Sequence, residues 1–289
     1  MNLTASTVSG GGPRFRPCQT GFTLLELLAV AVVLALLVSL LGTALARTQP
    51  NLAAVQCLNN LRQLGTAWRM YADDHQGRLV SNRDGANTGK AAGSENWVAG
   101  WLTVDYNQVN NSDNTNTLYL VDHEKTPYGA FLGPYLKTAA VFKCPADKTL
   151  VTIAGQKTQR VRSLSMNSFV GSNARTWTPG SRFSLLTNLA QIKAPANVFV
   201  FLEERPDGIN DGCFFTNPDT RYNLIDYPAA LHNTGGSFSF ADGHAEIHRW
   251  KDARTIPPLV PGKPLVLNVT LPGNVDVDWL QQHASQAIW

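Results

Sequence analysis

The chain has 289 residues, of which 44% are hydrophobic and 16% are charged. This length is sufficient for one large domain or two small ones. The formal net charge is +3, and two of the positive charges, Arg14 and Arg16, precede the first apolar segment. The rest of the chain is near neutral, which argues against nucleic-acid binding driven by net charge.

The first predicted element is a membrane span. Residues 22–45 read FTLLELLAVAVVLALLVSLLGTAL, which is 24 residues with one charge, Glu26. About 20 apolar residues cross a bilayer core as a helix. Because Arg14 and Arg16 precede this run, the positive-inside rule predicts a cytoplasmic N-terminus and an extracytoplasmic remainder.

Two simpler interpretations of this run compete. A secretory signal peptide has a shorter apolar core, of about 7–15 residues. A plain signal anchor accounts for the hydrophobicity but leaves Glu26 unexplained. A carboxylate inside a membrane helix costs roughly 2.5–3.5 kcal/mol and is a functional candidate. The alternative for Glu26 is a side chain that reaches the interface near the start of the helix.

The string Gly21-Phe22-Thr23-Leu24-Leu25-Glu26 resembles the processing site of type IV prepilins and type II secretion pseudopilins. The resemblance implies a leader at residues 1–21, cleavage by a prepilin peptidase between Gly21 and Phe22, and N-methylation of Phe22. In a filament of like subunits, Glu26 would neutralise the terminal amine of a neighbouring subunit and so set the axial register. An assembly platform and an ATPase are the further implied partners.

An amphipathic helix is predicted to follow the span. Apolar residues recur every three to four positions from Leu52 to Tyr71. Pro50 predicts a kink or junction, and Gly77 a stop after about Asp74. We therefore assign residues 22–45 to the transmembrane helix, 46–76 to the outer half of one spine helix, and 77–289 to an extracytoplasmic globular domain.

The globular part is predicted to be α+β, with the spine helix packed on an antiparallel sheet that carries loop-rich insertions. Residues 81–117 are rich in Asn, Gly, Ser and Thr and predict loops. A short helix is expected at 128–136 and a last one at 276–288. Strands are expected at 161–166, 198–202, 213–216, 237–240, 245–250 and 265–271.

A second resemblance covers this part. The segments beginning at Cys57, Cys144 and Met166, together with His232, Asp242 and Gly243 in the spacing His-x9-Asp-Gly, resemble a large pilin-like family. That resemblance implies architecture and export, and it implies no reaction. It gives His232, Asp242 and Gly243 structural roles.

His232, Asp242, His244 and His248 also invite a metal or hydrolase hypothesis. Asp242-Gly243 lies between two runs in which apolar and polar residues alternate, and it predicts a type I′ hairpin turn. A hydrogen bond from His232 to Asp242 would then hold the preceding loop against this turn. His244 and His248 would lie about 13 Å apart in a strand, too far to share one zinc ion. We therefore expect turn and loop roles for these residues, with no metal and no catalysis.

A loop after the apolar strand at 198–202 carries clustered oxygen ligands. Glu203, Glu204, Asp207 and Asp211 are candidate Ca²⁺ ligands, although their spacing is not that of an EF-hand and a solvated acidic loop explains them more simply. No other cofactor is expected.

Cysteine and tryptophan supply the remaining candidates. An oxidising compartment permits one disulfide among Cys57, Cys144 and Cys213, and we predict Cys57–Cys144. Trp97, Trp101 and Trp177 lie near Asn-rich loops and suggest a sugar-binding platform, although core packing is the simpler interpretation.

No sequence motif of a hydrolase or nucleotide-binding enzyme is present. The sequence therefore predicts a non-enzymatic subunit of a pilus or pseudopilus in the bacterial inner membrane. The main alternative is a membrane-anchored binding module, and a hydrolase built on His232 and Asp242 is a third.

Overall fold

The computed structural model describes residues 23–171 and 182–287, with side chains of the first helix described up to residue 38 and again from residue 52. Contacts divide the chain into two compact units, Met1–Thr48 and Gln49–Trp289. The predicted leader at residues 1–21 lies outside the described residues. In the described residues, no helix is both long enough and apolar enough to cross a membrane.

The first helix, α1, runs from Leu24 to Asp74, and Pro50 lies within it. From Cys57 onward one face of α1 is buried, with Leu61, Leu64 and Trp68 at most 1% exposed. The predicted stop is confirmed: Gly77 has φ +79° and its N–H donates to the carbonyl of Ala72 at 2.7 Å. Such a left-handed residue after a helix satisfies carbonyls that the last turn leaves unpaired.

The main sheet has the strand order β5-β3-β4-β7-β8. Its strands are β3 Leu164–Asn167, β4 Phe199–Glu203, β5 Cys213–Phe214, β7 Gly235–Phe240 and β8 Ala245–Arg249. All pairs are antiparallel except β3 with β5, which is parallel. This α+β architecture confirms the predicted fold class.

Both faces of the sheet are covered. Val198 and Val200 pack in a cluster with the buried face of α1, whereas Phe199 and Leu202 pack in a second cluster with the last helix, α3 Val275–Ala284. All five residues of β4 are therefore buried. A strand covered on both faces carries a continuous apolar run, which is why 198–202 was predictable.

Smaller elements surround this core. A hairpin is formed by β1 Leu150–Ile153 and β2 Gln156–Gln159, and β6 Asn223–Leu224 pairs with β9 Val269–Thr270. A short helix, α2, is Leu118–Val121.

Two predicted elements differ from the structure. The predicted helix at 128–136 was wrong, since only the 3-10 turn Gly133–Tyr135 forms there. The last predicted strand is shorter than 265–271, because Asn268 has φ +57° and interrupts the extended run.

Candidate functional site

The start of α1 is closed by a reciprocal cap. The N–H and Oγ1 of Thr23 donate to Glu26 Oε2 at 2.8 and 2.9 Å, and the N–H of Glu26 donates back to Thr23 Oγ1 at 3.3 Å. This is the capping-box arrangement, which satisfies backbone donors that the first helical turn leaves free. Glu26 is exposed, and Gly21 and Phe22 lie outside the described residues.

The described residues that follow form an exposed apolar surface. Every Leu and Val from Leu24 to Val38 is at least 50% exposed, and Leu24 is 85% exposed. Among residues 24–38 only Glu26 is not apolar, so apolar side chains face all sides of this helical segment. A helix that is apolar all round requires an apolar environment, in lipid or among other helices.

A second candidate site lies in the core of the other unit. Cys57, Cys144, Glu203 and His232 are all buried, and one ligand atom from each lies within 4.8 Å of the other three. Cys57 Sγ lies 3.0 Å from Glu203 Oε1, which lies 2.9 Å from His232 Nε2. Cys144 Sγ lies 3.3 Å from the same Nε2 atom. We call these four residues the Cys-His-Glu cluster.

Different parts of the fold supply the four side chains. Cys57 lies on the buried face of α1, and Glu203 is the last residue of β4. Cys144 follows the 3-10 turn Ala139–Phe142, whereas His232 precedes β7. The cluster thus joins the spine helix to the sheet and to two connecting segments.

The surrounding backbone holds these side chains in place. The N–H of Ser237 donates to Glu203 Oε2 at 2.9 Å, which turns Oε1 toward the cluster. The N–H of Ala146 donates to Cys144 Sγ at 3.3 Å. His232 and Gly235 exchange both backbone hydrogen bonds at 3.1 Å, around a two-residue turn in which Asn233 and Thr234 have φ +50° and +63°.

The cluster places opposite charges beside each other. Burial lowers the pKa of His232, but Cys144 and Glu203 outweigh it and raise that pKa to about 10. Burial acts to raise the pKa of Glu203, yet hydrogen bonding and charge from His232, with help from both thiols, leave it lowered. The hydrogen bond between the thiols lowers the pKa of Cys144 and raises that of Cys57. The arrangement therefore favours the anionic form of the Glu203 carboxylate.

The predicted disulfide partners do meet in this cluster. Cys57 and Cys144 both have free thiols in the structure, as does Cys213, which is buried outside the cluster. The disulfide stays a prediction. The two sulfur atoms have additional neighbours that were not predicted: Cys57 Sγ contacts Glu203, and Cys144 Sγ contacts His232.

The predicted hydrogen bond between His232 and Asp242 was wrong. His232 bonds Glu203 and Cys144, whereas Asp242 accepts the N–H and the Nδ1 of His244 at 3.0 and 2.7 Å. The loop after His232 forms its own tight turn and does not fold back along β7. The β7–β8 hairpin is present, but it is not type I′, because only Gly243 of the predicted pair has a positive φ, +98°.

The four calcium candidates have separate partners. Glu203 belongs to the Cys-His-Glu cluster, and Glu204 Oε2 accepts from Ser165 Oγ at 2.5 Å. Asp207 pairs with Arg205, and Asp211 accepts the N–H groups of Gly85 and Cys213. Of this set, only Glu203 belongs to a group of three or more potential ligands in the described part of the chain.

Two of these carboxyl groups, Glu204 and Asp211, interact with a third, Asp226. Burial raises the pKa of Asp226 to about 7, with the N–H of Phe215 opposing and the charge of Asp211 adding to the rise. Burial likewise raises the pKa of Asp211 to about 6 and, together with the charge of Asp226, raises that of Glu204. The facing cation is Arg162, whose side chain donates to the carbonyls of Leu164 and Asn210.

One of the three tryptophans proposed for a sugar-binding platform is not available at the surface. Trp97 is fully buried, donates from Nε1 to the carbonyl of Gly212, and packs against Phe142 and Phe201. Trp101 lines a surface cleft with Pro206 and Leu265, and Trp177 lies outside the described residues. Trp97 is therefore a core residue, as the simpler interpretation expected.

Sequence reasoning named all four members of the Cys-His-Glu cluster but paired only Cys57 with Cys144, as a disulfide. Cys57 and Glu203 are 146 positions apart, and Cys144 and His232 are 88 apart. The four residues form no local ligand motif, so only the tertiary fold brings them together. The available signal was indirect: the cysteine and histidine segments all lay within one resemblance.

Comparison with known proteins identifies the N-terminal segment. Residues 16–42 match the family model of the prokaryotic N-terminal methylation motif. No curated protein and no solved structure matches the chain. The motif indicates an N-terminally anchored, pilin-like protein that a prepilin peptidase processes and that assembles with other pilin-like subunits. It points to a structural subunit rather than an enzyme, and the resemblance around His232 and Asp242 stays a prediction.

Proposed function

We propose that the chain is a structural subunit of a type IV pilus-like or type II secretion pseudopilus filament in the bacterial inner membrane. The observation that carries the proposal is the helical segment from Leu24 to Val38, which is apolar on all sides, exposed, and interrupted only by Glu26. It follows the proposed cleavage site between Gly21 and Phe22, and it lies within residues 16–42, which match the methylation motif.

This segment requires two successive environments. Before assembly the apolar run at residues 22–45 is long enough to lie in the bilayer, with Arg14 and Arg16 on the cytoplasmic side. After assembly the same side chains pack against equivalent helices of neighbouring subunits in the filament core. Transfer between two apolar environments costs little, so packing and polar contacts between helices decide the geometry.

Glu26 supplies the polar contact. Peptidase cleavage releases a positive amine at Phe22, and N-methylation retains its charge. A carboxylate left unpaired among apolar helices is costly, so pairing Glu26 with the amine of a neighbouring subunit favours one axial register. The capping bonds use Thr23 of the same chain, and Glu26 is nevertheless exposed.

The proposal implies a defined set of partners. A prepilin peptidase removes residues 1–21 on the cytoplasmic side, like subunits form the filament, and a membrane platform with its ATPase drives assembly. The globular unit then lies outside the cytoplasm.

Three variants separate the charge of Glu26 from its capping role. Glu26→Gln keeps an oxygen that accepts the capping bonds but removes the charge, whereas Thr23→Ala removes a capping hydroxyl and keeps the charge. Gly21→Ala blocks cleavage and serves as the processing control. We expect Glu26→Gln to be inserted and cleaved but absent from sheared filaments, and Thr23→Ala to assemble.

The measurement is the fraction of subunit in filaments relative to membranes, with the mature N-terminus determined for each variant. Filament yields for Glu26→Gln equal to those of the unmodified chain would refute the pairing role. Loss of assembly in Thr23→Ala alone would assign Glu26 to capping.

A further inference from the structure

Four side chains of metal-ligand type converge in the core of the globular unit. Among the described residues, the Cys-His-Glu cluster is the one group in which ligand atoms of three or more His, Cys, Asp or Glu residues come together. These ligand atoms all lie within 4.8 Å of one another. Cys57, Cys144 and Glu203 are inaccessible to solvent, and His232 is 7% exposed. We propose that this cluster is a structural zinc(II) site that joins α1 to the sheet.

The distances suit a four-coordinate ion. Zinc bonds of about 2.0–2.3 Å to nitrogen, oxygen and sulfur give a tetrahedron with edges of roughly 3.3–3.8 Å. The three contacts measured here are 2.9, 3.0 and 3.3 Å. Each of these three distances is within about half an ångström of the corresponding tetrahedral edge. The remaining pairs of ligand atoms lie within 4.8 Å of one another.

The donor set selects the metal class. Thiolate and imidazole ligands suit zinc, whereas calcium and magnesium take oxygen ligands. The cluster supplies two sulfurs, one imidazole nitrogen and one carboxylate oxygen, all of which occur in zinc sites. Four protein ligands fill a tetrahedral shell and leave no position for substrate, so the site is structural and not catalytic.

The surrounding hydrogen bonds resemble those that orient metal ligands. Glu203 Oε2 is held by the Ser237 N–H, and Cys144 Sγ accepts the Ala146 N–H. Outer contacts of this kind fix the direction of a ligand atom and tune its basicity. Thr234 has φ +63° in the turn that presents His232, a strained conformation for a β-branched residue that the surrounding structure must hold.

The site has a clear mechanical role. Its ligands come from α1, from the segment after the 3-10 turn Ala139–Phe142, from β4 and from the turn before β7. A single ion thereby stabilises the docked half of the spine helix against the sheet. This role does not depend on the proposed filament function, because it concerns the globular unit alone.

The test uses the full-length chain in detergent micelles, stripped with a chelator under reducing conditions and then supplied with zinc chloride. We expect about one zinc per chain by elemental analysis, and an X-ray absorption shell of two sulfurs at about 2.3 Å and two lighter atoms at about 2.0–2.1 Å. Cobalt(II) in place of zinc should give a thiolate charge-transfer band. These readouts need no variant, so they remain decisive if ligand substitutions prevent folding.

Matched variants locate the ion. Cys57→Ser and Cys144→Ser should each weaken zinc binding at least about tenfold. Cys213→Ser removes a buried thiol outside the cluster and should leave zinc binding unchanged. Circular dichroism of each variant shows whether it has folded.

Several results would overturn the site. They are no zinc uptake by the reduced chain, a coordination shell without sulfur, or equal loss of zinc in Cys213→Ser. A Cys57–Cys144 disulfide in protein isolated from the envelope without reductant, together with no bound zinc, would instead establish the predicted disulfide as the native state.

Discussion

Replacing Asp226 with Asn tests the buried charge network through its pH dependence. Asp226 Oδ2 accepts the N–H of Phe215 at 2.7 Å, and an Asn side-chain oxygen can retain that bond. Burial raises the pKa of Asp226 from 3.8 to about 7, against the Phe215 hydrogen bond and with added repulsion from Asp211. The substitution therefore removes the titration and preserves the main polar contact.

The sign of the effect follows from proton binding. Between about pH 4 and pH 7 the folded state holds the Asp226 proton, which the unfolded state has lost. The folded state binds more protons in this range, so the free energy of unfolding falls as pH rises. Below that range Asn resembles the neutral acid, and above it the folded protein contains a destabilising buried charge that the variant lacks.

The shift sets an upper limit of about 4 kcal/mol on this effect. Because Asp226 is only partly buried as a residue, solvent screening reduces the expected difference to about 1–3 kcal/mol. Urea unfolding of both proteins, with chelator in every sample, should give similar stabilities near pH 4 and a more stable variant at pH 8. A difference that stays constant with pH, or that favours Asp226 as pH rises, would refute the reasoning.

Two further pairs of substitutions test the packing. Leu64→Ala in the buried face of α1 should lower the free energy of unfolding by about 2–5 kcal/mol in urea titrations. Met70→Ala, at a 47% exposed position of the same helix, should change it by less than about 0.5 kcal/mol. Equal effects of the two substitutions would contradict the docking of this face. Gly171→Ala should cost more than Gly155→Ala, since both have left-handed φ, but only at Gly171 would the new Cβ meet a neighbour, the carbonyl oxygen of Val80 at 1.9 Å. Equal melting temperatures for these two glycine variants would show that the contact with Val80 is not tight.

The parts of the fold that the sequence predicted are those with strong local signals. The spine helix ends near Gly77 as expected, because a 3.6-residue apolar period and a left-handed stop are both local. The run at 198–202 corresponds to β4, since its residues are apolar on both faces. The hairpin β1–β2 was not predicted, because β2 is polar and largely exposed and β1 is a mainly apolar run of only four residues.

The candidate metal centre shows the opposite limit. Glu203 ends an apolar strand and precedes Glu204, Asp207 and Asp211, so local reasoning grouped it with its acidic neighbours. The register of β4 against β7 instead places Glu203 beside Ser237 and His232. Strand register and helix docking depend on contacts distant in sequence, so the Glu203–His232 pair and its position beside the two thiols were not predictable. The pairing of Cys57 with Cys144 was predicted, but only as a disulfide.

The mature N-terminus tests the central claim most directly. Intact and peptide mass spectrometry of the envelope-located protein, from cells that contain a prepilin peptidase, should find a chain beginning at N-methyl-Phe22. The same chain from cells without that peptidase should retain residues 1–21. An envelope-located protein that keeps Met1 or its leader while the peptidase is present would contradict the pilin-like account.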